Sequence, residues 1–307
     1  ILARHGVSIA RSTLCDWVRD VAALLEPIAK EMRRGIMASG LVQTDDTPVR
    51  VRTGMRETRR GAIWCYLSPE VGEVVYDFTP NRARDGPERI LEGYQGYLQA
   101  DAYAGYDRIL KTEGVTEVGC WAHARRKFYE SMDTSPAEAS AVLAGIRRLY
   151  AVEARAKEAR LPPEAVRGLR CRESLPILHA IREYLEVQKM AALPQSPFGK
   201  AVTYALNQWE ALVRYVGDGR LPIDNNAAER ALRAVAVGRK NWLFAGSPAG
   251  GKRAATLYSL VSSCKLQGID PFVYLRDVIE RISTHPVSRI AELTPRGWAE
   301  ELRGHLV

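Results

Sequence analysis

Cysteine is scarce in this chain and histidine equally so, with five of each among 307 residues. The cysteines, at 15, 65, 120, 171 and 264, are odd in number, widely scattered and form no CxxC pair. That argues against a disulfide framework and points to a reducing compartment, the cytoplasm. Cys120 and His123 have the spacing of half a zinc site, but no second pair lies at a usable distance, so a structural zinc is not expected. Long hydrophobic runs are missing as well: no apolar stretch approaches the roughly 20 residues a membrane span needs. No membrane partner is expected. No signal peptide is expected, and the chain opens on Ile1 rather than Met. The expectation is a chain without its extreme N-terminus.

Hydrophobic residues make up 46% and charged residues 26%, the balance of a globular protein. The length suits two or three units rather than one small core. Lys and Arg total 44 against 36 acids, a net charge of +8, which favours a polyanionic partner. Basic pairs recur at 33–34, 59–60, 125–126, 147–148 and 239–240. Residues 246–252, GSPAGGK, fit the GxxxxGK pattern of a phosphate loop. Arg253 stands where that motif needs Ser or Thr to hold Mg²⁺, and Pro248 removes an amide from the cradle. A glycine turn that lets a helix approach the sheet or DNA is the better reading.

Residues 1–38 read as a helix-turn-helix-like segment and linker helix. Gly6 makes the turn and Ser8 or Ser12 starts a helix carrying Ile9, Leu14, Trp17 and Val21 inward, with Arg11, Ser12 and Thr13 toward DNA. A longer helix over 18–37 follows. From Leu41 the period becomes that of strands: 41–52, 61–68, 73–80, then a helix, a strand over 97–106, a short helix, and a short strand leading into a basic helix by 128. Residues 39–130 form the first part of an α/β core. Residues 131–215 are helical throughout, broken at Pro162–Pro163, Pro176, Pro194 and Pro197. Residues 216–268 return to the core, with a helix beginning at Asn225 or Asn226 as N-cap and another over 252–266. Residues 269–307 form a C-terminal segment.

Three acidic positions carry chemistry. Asp45, with Asp46 beside it, lies on the first strand, Asp101 ends the fourth, and Glu229 lies on the late helix. Asn226, Glu229, Arg230 and Arg233 share one face of that helix at three- and four-residue spacing. An acid in the middle of a β-rich strand is unfavourable if buried and unpaired. Several such acids gathered in one place persist when cations neutralise them. Carboxylate oxygens without His or Cys favour Mg²⁺ or Mn²⁺, and two such ions suit phosphodiester chemistry. Asp45 and Asp46 point to opposite faces of the strand, and the spacing does not choose between them.

QTDDTPVRV, YLQADAYAGYD, GCWAHARRKF, LPIDNNAAERALRAVAVGRKNWLFAGS and PVSRIAELTPRGW resemble successive motifs of insertion-sequence 66 family transposases, in that family's order. HGVSIARSTLCDWV is similar to the same family's helix-turn-helix region. The resemblance spans nearly all of the chain from Leu41 onward and is most specific over 225–247. It implies a ribonuclease H-like mixed α/β sheet with a helical insertion, and an Asp-Asp-Glu triad that cuts and joins DNA strands. Position by position, the triad is Asp45, Asp101 and Glu229, which would also hold the metal. The family's usual Asp-Glu-Thr-Pro is here Asp45-Asp46-Thr47-Pro48, so Asp45 is preferred and Asp46 kept beside it.

Arg230, Arg233, Arg239 and Lys240 are then candidates for gripping DNA phosphates, joined by Arg11 and Thr13. Asn226, His123 and Arg126 are supporting residues near the acids, and Trp242 belongs to the core. The resemblance further implies double-stranded DNA as partner, a homo-oligomer on DNA, and accessory proteins encoded by the same element. The rival reading is a non-catalytic DNA-binding relative, a decayed or domesticated copy.

Overall fold

The computed structural model describes residues 2–55 and 57–304. After a 3-10 turn at Leu2–His5 the elements run α1 (Arg11–Met37), β1 (Leu41–Arg52), β2 (Thr58–Ser68), β3 (Glu73–Thr79), α2 (Asp85–Ile90), β4 (Gly96–Gln99) and α3 (Asp107–Leu110). Next come β5 (Val115–Val118), α4 (Trp121–Glu130), α5 (Pro136–Glu158), α6 (Pro163–Ala191), α7 (Pro197–Asn207) and α8 (Trp209–Val213). The chain closes with α9 (Asn226–Trp242), α10 (Pro248–Leu266), α11 (Pro271–Arg281) and α12 (Pro295–Gly304). Three antiparallel strands, a helix, a strand, a helix, a strand and a helix, with helices inserted before the last core helix, are the order of a ribonuclease H-like α/β fold. Two compact units are present: Ile1–Gly96, Gly105–Gly114 and Ala227–Val307 make the first, and Tyr97–Ala104 with Val115–Asn226 the second.

In the first unit β2 is the central strand, antiparallel to β1 (Asp45 opposite Cys65, Val49 opposite Gly61) and to β3 (Cys65 opposite Tyr76, Ile63 opposite Phe78). Side chains alternate between faces, so Val49, Val51, Ile63, Cys65, Leu67, Tyr76 and Phe78 share one face. That face packs on Ala228, Leu232 and Val235 of α9, at helical spacing, and on Ala255 of α10. On the opposite face the buried Trp64 donates from Nε1 to Thr79 Oγ1 at 2.8 Å and meets Tyr106 edge-on.

A free strand edge invites pairing with another chain. Here α10 covers β3. Ser263 Oγ accepts from Val74 N at 2.9 Å and donates to Val74 O at 3.0 Å, while Ser259 Oγ accepts from Tyr76 N at 2.8 Å. The two serines stand four apart and so share one side of the helix. Gly251, in the first turns of α10, lies against Phe78, where a Cβ would come within 2.6 Å of the ring.

The second unit holds β4 and β5, hydrogen-bonded neighbours, followed by α4 to α8. Gln99 Nε2 donates to Gly119 O at 3.0 Å and to Pro222 O at 2.9 Å, tying three segments together. The long α5 and α6 pack along rows that include Val142, Ile146, Leu149, Ile177, Leu178, Ile181 and Leu185, all buried.

Five expectations are corrected. The helix over 18–37 and the helix expected ahead of it are one 27-residue α1. Ala22, Leu25, Ile28, Met32 and Ile36 bury a continuous stripe on it, so packing holds it together across Pro27. Leu14 and Trp17, expected inward, are exposed. The fourth strand ends at Gln99 rather than 106, because the chain turns into a 3-10 segment that buries Tyr106. Pro176 does not break the helical region: it lies inside α6, whose buried Ser174, Ile177 and Leu178 continue past it. Finally, α10 begins at Pro248 rather than 252, with Ser247 Oγ accepting from Gly250 N at 3.0 Å as its N-cap. The GxxxxGK stretch is therefore mostly helix, and Gly251 serves the close approach of that helix to the sheet.

Candidate active site

Asp45 and Asp46 are both half-buried on β1 but belong to different faces. Asp46 forms a bidentate ion pair with Arg82, 2.8 Å at its closest. Asp45 Oδ1 accepts from the Asp46 amide at 2.8 Å. Its cross-strand neighbour Cys65 belongs to the face packed on α9, and Cys65 Sγ lies 3.5 Å from Ala228 O. Burial, and after it the charge of Asp45, push the Cys65 thiol well above its ordinary range. Ala228 immediately precedes Glu229, which is half-buried on the same helix. The register thus puts Asp45, and not Asp46, on the side of the sheet that faces the Glu229 helix.

Among the basic candidates of the first unit, Arg230, Arg233 and Lys240 are exposed along α9, whereas Arg239 is half-buried and donates to the Pro48 carbonyl on β1. Arg11 is exposed at the start of α1, with Thr13 half-buried two residues on. Trp242 is half-buried and packs against the sheet core.

In the second unit, Asp101 is half-buried in the loop two residues past β4, with its carbonyl accepting from Tyr103 N at 2.8 Å. Burial, then the charges of Cys120 and Asp101, push the Tyr204 hydroxyl up. His123 is buried on α4 and Arg126 is exposed on the same helix. Cys120 Sγ and a His123 ring nitrogen lie within 4.8 Å of each other. Burial pushes the Cys120 thiol up to about 11, and it accepts from Asn225 N at 3.2 Å.

Asp224 is a neighbour of the candidate residue Asn226 that the sequence reading did not single out. Its Oδ1 accepts from Asn226 N at 3.1 Å and its Oδ2 from Asn226 Nδ2 at 2.7 Å, so it orients Asn226 at the start of α9. Tyr150 donates to the same carboxylate at 2.8 Å, and burial together with Asp224 raises its hydroxyl so that it keeps its proton. The available signal was an Asp two residues before a helix start, the Asx pattern that satisfies a first-turn amide. Arg82, the partner of Asp46, had no such signal.

Fold and site together define a ribonuclease H-like α/β protein with acidic side chains on its first strand and its late core helix. The family model described as Transposase IS66 family matches residues 1–253, and that of the IS66 C-terminal element matches residues 259–296. The chain belongs to the IS66 transposase family. It is also similar to three proteins of Sinorhizobium fredii (strain NBRC 101917 / NGR234), each named as an uncharacterized protein. With y4hP it shares 33% identity over 96% of this chain and 57% of that protein, and with y4qI 33% over 99% and 59%. With y4jD the figures are 30% over 99% and 62%. The chain therefore spans about three fifths of the length of the curated relatives it matches. No helix among the described residues is long and apolar enough to cross a membrane.

Proposed function

We propose that this chain is the catalytic part of a DNA transposase that cleaves the ends of an insertion sequence and transfers the freed strands to a target. The observation that carries the reading is the register of β1. Asp45 lies opposite Cys65 on the face that packs against the Glu229 helix, while the neighbouring carboxylate of Asp46 is engaged by Arg82. Family membership supports the class of reaction.

In this reading Asp45, Asp101 and Glu229 are the metal ligands. Their hard oxygen donors fit Mg²⁺ or Mn²⁺ and not a soft ion. Divalent ions bound there would supply Lewis-acid stabilisation and lower the pKa of an attacking water. Hydrolysis adds water across one phosphodiester, leaving a 3′-hydroxyl on the element and a 5′-phosphate on the flank. That 3′-hydroxyl then attacks a target phosphodiester in line, and the displaced target 3′-oxygen leaves with the proton. No covalent protein intermediate is needed. Arg230, Arg233 and Lys240, exposed on α9, are placed to hold phosphates. Asn226, His123 and Arg126 support the site.

The test is metal-dependent cleavage and joining of duplexes carrying the element's terminal repeats, using the full-length protein. Asp45→Asn and Glu229→Gln are each expected to lower the rate by at least about 10²-fold, the scale of losing one preorganised electrostatic group. Asp46→Asn is expected to cut DNA within a few-fold of the parent while melting earlier, because the Arg82 pair is lost. Full activity in Glu229→Gln, or loss confined to Asp46→Asn, overturns the assignment.

A further inference from the structure

The arm where β1 runs into β2 carries a charge that the proposed chemistry does not use. Residues 49–61, VRVRTGMRETRRG, hold five arginines and one glutamate, a net +4 by count. Arg50 lies directly opposite Arg60 in the strand register, and Arg59 follows on the other face. All three are exposed, and no ion pair engages them among the described residues. Arg50, Thr58, Arg59, Arg60 and Arg239 line a cavity of about 580 Å³. Arg239 braces the arm through the Pro48 carbonyl, and its guanidinium keeps further N–H donors for a ligand.

Like charges directly opposite across an antiparallel pair destabilise the hairpin. An exposed arm made merely soluble would be served by mixed charges, which impose no such cost. Here the cost is unrelieved within the described chain, and a polyanion would relieve it. The position is informative too. Arg50 follows Asp45 by five residues of extended strand, roughly 17 Å at about 3.4 Å per residue, with its side chain on the other face, while Arg59, opposite Val51, shares the Asp45 face. A B-form duplex covers about five base pairs in that length, at about 3.4 Å per step.

We propose that the β1–β2 arm, through Arg50, Arg59 and Arg60 together with Arg239, grips the phosphate backbone of duplex DNA about five base pairs from the reacting phosphodiester. The proposal rests on the reading of Asp45 as a catalytic carboxylate. It adds contacts beyond the exposed α9 residues Arg230, Arg233 and Lys240. The contacts are to phosphate and carry no sequence preference of their own.

The test is duplex binding by the full-length protein across a KCl series, for the parent, Arg50→Gln/Arg60→Gln and Arg59→Gln. The double variant should bind about tenfold more weakly at 100 mM KCl. It should also flatten the plot of log affinity against log salt by about 1.8, near 0.9 per lost phosphate contact. Its melting temperature should equal or exceed the parent's, because the opposed like charges are gone. That result separates a ligand-gripping role from a structural one. Unchanged affinity and slope in a folded double variant overturn the proposal while leaving the catalytic reading intact. If the double variant does not fold, Arg59→Gln decides by the same criterion, with a slope change near 0.9. A parent protein that binds no duplex at all removes the DNA-acting reading, and this inference with it.

Discussion

Asp45 and Asp46 are adjacent carboxylates in different surroundings, and the difference comes from the two-residue period of a strand. One carboxylate is engaged by Arg82, and the other lies on the face that packs against α9. The same period explains why the sequence could not choose between them: alternation places the two on opposite faces without saying which face the late helix covers. A different carboxylate offers a pH test of the fold. Glu73, buried at the start of β3, accepts from Arg296 N at 2.9 Å, yet burial still holds its pKa above the ordinary 4.5. A folded-state pKa above the unfolded one means the folded protein binds the proton more tightly. Glu73's contribution to stability is then fully present below about pH 4.5 and is lost as pH rises through the folded-state value. Glu73→Gln keeps an acceptor for the Arg296 amide and removes the ionisation. Thermal denaturation should show the variant melting about 2 °C above the parent at pH 7, with the gap closing toward pH 4. A variant that melts lower at both pH values would mean that the carboxylate is worth more as a hydrogen-bond partner than its burial costs.

At the scale of elements, the sheet and the helix that carries Glu229 were the legible parts. Strands β1 to β3 show β-rich alternation bounded by turn residues, and α9 shows an apolar stripe with charges on its other face. What was misread shares one cause, tertiary context overriding local signal. The run YLQADAYAGY has strand composition, but Gln99 already closes the strand by binding Gly119 and Pro222, and Tyr106 turns inward beyond it. Pro176 carries a breaker signal, and the buried row on α6 outweighs it. The glycine-rich start of α10 looks like a nucleotide loop until its neighbour is known. Gly251 is packed on Phe78, where a methyl group would sit 2.6 Å from ring carbons of a strand core. Gly251→Ala should therefore destabilise the first unit by about 1–3 kcal/mol, the usual scale of overpacking. Chemical denaturation would measure it, and nucleotide affinity should be nil in parent and variant alike. A stabilised Gly251→Ala would contradict the close approach of α10 to the sheet, since in an open helix alanine is the better residue.

For the whole molecule, the proposed chemistry belongs to a larger reaction. Moving an element requires cutting at both of its ends, and each end needs a set of carboxylates. In the proposed reading one chain supplies one such set. The functional particle on DNA should therefore contain at least two protomers. Light scattering or native mass measurement on the full-length protein with a terminal-repeat duplex should give a mass of two or more protein copies. A stable, cleavage-competent complex of one protomer would count against paired-end cutting. Mixing catalytically dead Glu229→Gln protomers with active ones sharpens the measurement. If both ends must be cut within one assembly, a one-to-one mixture should lose more than half of its paired-end products, while single-end nicks fall only in proportion. Proportional loss of both products would mean that each protomer works alone, and the two-ended reaction would then have to be sequential.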